Sequence, residues 1–370
     1  MKIATVLGTR PEIIRLSLII PKLDAHAEHI LIHTGQNSTA SLSDVFFSEL
    51  GLRAPDHSLG IVESNFARQV GRIMSECHDL FIAERPDRLL ILGDTNSALS
   101  GVVAKRLGIP VFHMEAGNRC FDLRVPEEVN RRIVDHVSDI LLPYTERSRQ
   151  NLLREGFASD RVYVTGNPIY EVMRANARPI DESPILKRLG LSKQHYFLVT
   201  LHRAENVDPP DRLSAFAEAF RALARRFSLP VIVSTHPRTR ARLSASEIDT
   251  AEDIRYLEPF GFFDFVALEK GAGCVLTDSG TVQEECAILG APNVTLRDVT
   301  ERPETIECGS NMLTGAAVEA IVAAVSLTMT NPPRWAAPPE YLAPAVSDTI
   351  VRIVTGYVHG LSRPVSGHLA

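Results

Sequence analysis

Short runs of apolar, β-branched residues recur along the chain, each closing in Gly, Asp, Asn, Thr or His. In the first half they are "KIATVLG", "HILIHTG", "RLLILGD", "VFHMEAG", "DILLPYT" and "RVYVTGN". Segments with helical spacing separate them. A strand covered on one face alternates apolar and polar residues, and a strand covered on both loses that alternation, so these runs predict buried parallel strands joined by crossover helices. The second half repeats the plan with "YFLVTLH", "PVIVSTHP", "IRYLEP", "CVLTDSG", "PNVTLR" and "SNMLTG", and with helices over Asp211 to Phe227 and Val282 to Leu289. Between the halves, "NPIYEVMRANARPIDESPILKRLGLSKQH" breaks the pattern with Pro, Asp and Ser, which puts a hinge near residues 175 to 190. The expectation is an α/β protein of two doubly wound parallel-sheet domains, residues 1–178 and 179–345. Open α/β sheets bind ligands beyond the carboxyl ends of their strands, so two such domains facing a cleft would concentrate chemistry in the loops there.

The motifs fall where that plan wants them. "GTRPE", "HTGQN", "GDTNS", "HMEAG", "LHRAEN", "STHPR", "TDSGT" and "LRDVTERPE" each follow a predicted strand. Composition narrows the chemistry further. With 370 residues, 45% hydrophobic and 23% charged, the chain is long enough to bury two cores. Its net charge of −6 and scattered lysines and arginines argue against a nucleic-acid partner. Five cysteines, widely spaced and without a CxxC pair, fit reduced thiols in the cytoplasm, and neither a signal peptide nor a membrane span is read from the chain. Neither G-x-G-x-x-G nor G-x-x-x-x-G-K-[ST] occurs in a fitting context, which removes the usual warrants for a dinucleotide cofactor or a nucleoside triphosphate.

"VLTDSGTVQEECAILG" reads as a strand ending at Asp278, small residues Ser279 and Gly280 that let backbone approach a ligand, and a helix from about Thr281 to the stop at Gly290. Such a helix start suits a phosphate, and Glu285, a turn further in, is placed for a sugar diol. A plain N-cap by Asp278 or Ser279, with Glu284 and Glu285 in solvent, explains the same residues. "VLGTRPEIIRLSLII" makes a similar junction, with Pro11 at the helix start; Arg10 and Arg15 either clamp a diphosphate or form surface salt bridges. "VPEEVNRRIVDHVSDIL" predicts a helix whose apolar face is Val129, Ile133, Val137 and Ile140. Glu127 and Glu128 stand in its first turn, favoured by the helix dipole, with Arg131 and Arg132 four residues on.

Glu115 and Asp94 differ, because each follows a buried run where an unpaired carboxylate is costly. Asp94 also suits an N-cap. His202 and His236 close strands at the expected cleft and read equally as ligand-facing groups or ordinary strand ends, while His113 and His136 read as satisfied core or interface groups. No histidine pair on a predicted helix has the i, i+4 spacing of a zinc site, so no metal is implied.

Together, "GTRPE" followed by Arg15, "HTGQN", "GDTNS", "HMEAGNRCFD" with "VPEEVNRR", "LHRAENVD", "THPR", "TDSGTVQEE" and "LRDVTERPE" resemble the non-hydrolysing UDP-N-acetylglucosamine 2-epimerases, in family order from residue 8 to 304. The resemblance implies a glycosyltransferase-B type fold of two Rossmann-like domains, with a C-terminal helix (Ser347 to His359, within about 346–370) rejoining the first, and a cytoplasmic homodimer acting on a UDP-sugar. It implies no metal and no other cofactor. A base removes the C2 proton of a UDP-N-acetylhexosamine, UDP leaves by anti elimination, and UDP re-adds to the 2-acetamidoglycal as a proton arrives on the other face. Asp94, Glu115 and Glu127 carry over as acid/base carboxylates and His202 as a catalytic or phosphate-facing group. Arg10, Arg15, His236, Ser279, Gly280, Thr281, Glu285 and Arg302 carry over to the UDP-sugar site, Glu285 on the ribose hydroxyls, and Glu128 is left as the structural partner of Arg132. Arg15 in place of a frequent lysine, "NRCFD", and Thr281 in place of a second glycine look like the branch that makes UDP-N-acetyl-L-fucosamine from a 6-deoxy L-talo sugar nucleotide; Ser38 and Thr39 depart from that branch. A hydrolysing epimerase, a UDP-sugar-dependent glycosyltransferase and a non-enzymatic nucleotide-sugar sensor are the competing readings. Capsule, O-antigen and secreted natural products would all consume such a sugar.

Overall fold

A computed structural model describes residues 1–36, 40–63, 65–245 and 253–356. Asn37, Ser38 and Thr39, and the end of the expected C-terminal helix from Tyr357 on, lie outside the described residues. The chain divides into two compact units: residues 1–172 with the segment from Glu340 on, and residues 173–339.

The first unit holds six parallel strands, β1 (Lys2–Leu7), β2 (Glu28–His33), β3 (His57–Ser58), β4 (Arg88–Leu92), β5 (Val111–Met114) and β6 (Ile140–Leu142), in the order β3-β2-β1-β4-β5-β6. The second holds β7 (Phe197–Leu201), β8 (Val231–Thr235), β9 (Ile254–Leu257), β10 (Cys274–Thr277), β11 (Asn293–Thr295) and β12 (Asn311–Leu313), in the order β12-β11-β10-β7-β8-β9. Counted from its own first strand, each half has the same winding, which reverses beside that strand. The reversal opens a crevice between the loops after β1 and β4, and again between those after β7 and β10.

Both faces of the sheets are covered, as the uninterrupted apolar runs require. Phe197, Val199 and Leu201 pack with Leu213, Phe216, Phe220 and Leu223 of the Pro210–Phe227 helix, whereas Tyr196 and Leu198 point the other way, onto Val282 and Cys286. In the first unit, Ile73, Cys77 and Phe81, one helical turn apart, lie against Ala4, Val6, Leu89 and Ile91. The Val346–Thr355 helix is fastened to the first unit: Glu171 accepts from the Ser347 backbone N–H at 2.8 Å and from its hydroxyl at 2.6 Å, and Lys22 reaches Asp348 at 2.6 Å. Among the described residues no helix is long and apolar enough to cross a membrane.

Two expectations fail. "RVYVTGN" is not a strand: Tyr163 donates a backbone bond to Leu141 of β6 and Thr165 one to Pro143 just after it, but only Val162 pairs as a bridge, with Leu141. The Pro126–Val137 helix is turned the other way round. Val129 is 44% exposed and Ile133 41%, while Glu128, Asn130, Arg131, Val134 and Asp135 are buried. Apolar spacing misleads here because buried ionic partners await the charged face.

Two devices set the strand-end loops. The Arg10–Leu16 helix starts with a capping box, in which Glu12 accepts from the backbone N–H of Thr9 at 2.8 Å and of Gly8 at 3.0 Å, and from the Thr9 hydroxyl at 2.8 Å. Its other oxygen accepts from the Thr95 hydroxyl at 3.0 Å, which ties the β1 loop to the β4 loop. Gly117, after β5, has φ +78°, and a Cβ there would sit 2.3 Å from the Ser148 carbonyl oxygen. Only glycine fits both demands.

Gly117→Ala is expected to lose about 2–4 kcal/mol in urea unfolding, whereas Gly290→Ala, at φ +73° but with open space around it, loses about 1 kcal/mol. Equal losses would mean that the contact with Ser148 is not what holds the loop. Burial pushes the Glu12 carboxyl up from 4.5 to about 7 against the pull of its four donors. A raised folded value means the native chain holds a proton that the unfolded chain releases. The stabilisation is complete below pH 4.5 and fades as pH rises through about 7. Urea titrations across that range should show wild type losing up to about 3 kcal/mol more than Glu12→Gln; parallel curves would refute the assignment.

Candidate active site

In the first unit the polar residues gather beyond β1, β4 and β5. The register pairs Leu92 with Met114, so Asp94 and Glu115 emerge from neighbouring strand ends. Glu115 takes φ +66°, a left-handed conformation that costs a non-glycine residue about 1–2 kcal/mol. The turn is pinned by its backbone N–H on the Leu142 carbonyl at 3.1 Å. The side chain, 8% exposed, receives the Asn118 amide at 3.3 Å, and its Oε2 lies 4.0 Å from where a Cβ on Gly93 would stand. The strain therefore aims the carboxylate at the β4 loop.

Asp94 is gripped by Arg131, at 3.0 Å from Nε and 2.6 Å from a terminal nitrogen. The other arm of that guanidinium reaches Glu128 at 2.9 Å, and Glu128 also takes Arg132 at 3.1 Å and the backbone N–H of Cys120 at 3.0 Å. Asn130 donates to the Asp94 carbonyl at 3.0 Å. These contacts tie the first turns of the Pro126–Val137 helix, with half-buried Glu127 as its second residue, to the Asp94 loop. Behind them, His113 bonds Asp135 at 2.8 Å and the Gly93 carbonyl at 2.9 Å, and Arg119 bridges Asp135 at 2.7 Å to Glu155 at 2.6 Å. Burial alone would raise the Asp135 carboxyl, but the His113 ring and the Arg119 guanidinium outweigh it and hold it below the usual carboxylate range. Arg10 is half-buried, its guanidinium 5.9 Å from the centre of the Phe46 ring, and Arg15 is only 2% exposed.

In the second unit, His202, His236 and the Asp278–Thr281 turn follow β7, β8 and β10. The His202 and His236 rings stand 5.9 Å apart. Asp278, wholly buried, accepts His202 Nδ1 at 3.0 Å, the backbone N–H of Arg203 at 2.9 Å and the Asn206 amide at 3.1 Å. Burial favours its protonation, but His202 and the Arg203 N–H prevail and drive it well below the usual range. Asp278 is thus no helix cap; the cap position falls to Ser279, whose hydroxyl lies 2.9 Å from that of Thr281. The Gly280–Leu289 helix starts there with its free N–H groups, and a Cβ on Gly280 would meet Glu301 at 2.7 Å. The reading of Glu284 and Glu285 as solvated fails: they are 1% and 5% exposed. Arg302, 4% exposed, pairs with Glu284 at 2.5 Å and lies 3.5 Å from Glu301.

Asp94, Glu115 and Glu127 thus share one rim of the first unit, and His202, His236, Ser279, Gly280 and Thr281 share one rim of the second. Asp278, Arg131 and Asp135 were missed. Asp278 meets the criterion that singles out Asp94 and Glu115, a carboxylate closing a buried strand, but in the sequence a helix N-cap accounts for it equally well. Arg131 and Asp135 carried no such signal, since their helix was oriented by its apolar residues.

The chain matches the family model described as UDP-N-acetylglucosamine 2-epimerase over residues 21–355. The UDP-N-acetylglucosamine 2-epimerase of Methanocaldococcus jannaschii is 39% identical over 96% of this chain and 99% of its own. The UDP-2,3-diacetamido-2,3-dideoxy-D-glucuronate 2-epimerase of Pseudomonas aeruginosa is 39% identical over 87% and 90%. The crystal structure of the Methanocaldococcus jannaschii enzyme in complex with UDP-GlcNAc and UDP superposes with a TM-score of 0.92, covering 96% of this chain and 99% of that one. At 10% identity and a TM-score of 0.59, the glycosyltransferase WaaG shares the fold alone, which is the two-domain α/β architecture of glycosyltransferase-B type. With the fold, the strand-end motifs and relatives that span its length in agreement, this chain belongs to the UDP-N-acetylglucosamine 2-epimerase family and is an isomerase acting on carbohydrates.

Proposed function

We propose that the protein inverts C2 of UDP-N-acetylglucosamine by anti elimination of UDP and re-addition through a 2-acetamidoglycal. The observation that carries this reading is the pair of carboxylates on adjacent strand ends, Asp94 and Glu115, with Glu115 held in a strained backbone and Glu127 on the helix tied to the same loop. A C2 hydrogen is weakly acidic, so its removal needs a positioned base and an acid for the opposite face. The first unit supplies the carboxylates. The second supplies what a leaving diphosphate needs: the N–H groups opening the Gly280–Leu289 helix, and His202, whose Nδ1 is occupied by Asp278 so that Nε2 is left for the ligand. Arg10 and Arg15 of the first unit and His236, Ser279, Gly280, Thr281 and Arg302 of the second are assigned to UDP-sugar binding in this reading, with Glu285 on the ribose. A cytoplasmic homodimer is part of the proposal and rests on the family resemblance. The 6-deoxy L-talo nucleotide is the second substrate reading, favoured by Arg15, "NRCFD" and Thr281.

Incubation of each nucleotide sugar in deuterium oxide, followed by NMR, tests the reaction. Deuterium entering C2 of an intact nucleotide sugar is expected, and the faster substrate identifies the sugar. Stoichiometric free UDP would instead mean hydrolysis, turnover only with an acceptor would mean a transferase, and no chemistry at all a sensor. Asp94→Asn and Glu115→Gln should each slow C2 exchange by about 100-fold or more while UDP binding in calorimetry stays near wild type. Wild-type exchange in both would refute the assignment of the carboxylates.

A further inference from the structure

Glu269 lies in the last turn of the Phe262–Gly271 helix with no exposed surface, and among the described residues no hydrogen-bond donor reaches either of its oxygens. The helix packs on the Gly280–Leu289 helix, and the carboxyl group within hydrogen-bonding reach of Glu269 is that of Glu285. Among the described residues Glu269 has no cationic partner. Tyr196 is near, but its hydroxyl donates to the Leu268 carbonyl at 2.5 Å. Cys286, against both carboxyl groups, and Cys274 behind it are thiols that burial keeps protonated. Two acceptors facing each other in such a place bond only if one of them carries a proton, since like charges this close in a dry site do not both ionise.

We infer that Glu269 is a positioning residue for Glu285: the two buried carboxyl groups share one proton, and the Glu269 O–H holds the Glu285 carboxylate in the orientation that receives the two ribose hydroxyls of the nucleotide. The inference rests on the reading of Glu285 as the ribose ligand. A negative charge suits that task, because a diol presents two O–H donors and an ionised carboxylate only accepts. Burial and the neighbouring Glu285 both push the Glu269 carboxyl up, so the proton persists at neutral pH. Once pH strips it, the two carboxylates repel each other and the grip on the ribose loosens.

Two measurements on the full-length protein test this. Infrared difference spectra of wild type against Glu269→Gln at neutral pH should show a protonated carboxyl band belonging to wild type; its absence would overturn the shared proton without reference to any ligand. Calorimetry of UDP binding from about pH 6 to about pH 9.5 should show wild-type affinity falling with pH, and a flatter profile in Glu269→Gln, whose amide donates without titrating. Glu269→Leu, which removes the donor, should weaken UDP about tenfold or more at the lower pH and raise KM more than it lowers kcat, and Glu269→Gln should recover part of that loss. Equal effects of Leu and Gln with parallel pH profiles would make Glu269 a packing residue only and overturn the inference. If the carboxyl band is present and wild type does not bind UDP, the nucleotide-sugar reading fails and the role given to Glu269 at the ribose falls with it, while the shared proton stands.

Discussion

One guanidinium organises the first unit. Arg131 sits almost wholly buried between Asp94 at the end of β4 and Glu128 on its own helix, and so decides which face of the Pro126–Val137 helix turns inward. A buried ion pair of this kind adds little net stability, because desolvation of the charges offsets their attraction, but leaving one member alone is severely destabilising. The arrangement is therefore all or nothing. The helix docks with Glu128, Arg131 and Asp135 inside and Val129 and Ile133 outside, and in that orientation alone its first turn, with Glu127, lies beside the Asp94 loop. His113, Asp135 and Arg119 extend the same network under the Glu115 turn, which helps sustain a backbone conformation that Glu115 would not adopt unaided.

The second unit solves a different problem with the same winding. Where the first collects carboxylates, the second collects backbone N–H groups and histidines at the reversal between β7 and β10, and it buries an anion, Asp278, behind the His202 ring to fix which nitrogen faces outward. The division suits the proposed elimination, a reaction that needs groups to handle protons and groups to stabilise departing charge.

Much of this was legible in the amino-acid sequence, and the limits have physical causes. Buried parallel strands advertise themselves through unbroken apolar runs, so every strand of the second sheet and all but β3 of the first were found; β3 is a two-residue edge pairing with no run to reveal it. "RVYVTGN" has strand composition, but composition does not say whether a segment at a sheet edge finds a full ladder. The apolar face assigned through Val129 and Ile133 was wrong because amphipathic spacing assumes that charges seek water, and here they seek one another. Glu115 and Asp94 stood out because a carboxylate at a buried strand end demands a reason. Asp278 meets the same test, but a cap explains a carboxylate ahead of a helix just as well. Arg131 and Glu269 act through partners distant in sequence or on another helix, and no local pattern announces such pairs.

The account depends on Arg131 bridging Asp94 and Glu128, and Arg131→Lys probes that bridge while keeping the charge, since an ammonium cannot span two carboxylates as a guanidinium fork does. The measurement is C2 deuterium exchange set beside thermal unfolding and UDP affinity in the same preparation. Exchange slower by about 30-fold or more, with UDP affinity near wild type in a protein that melts lower but is still folded at the assay temperature, is the predicted result. Exchange at the wild-type rate in a folded Arg131→Lys protein would contradict it.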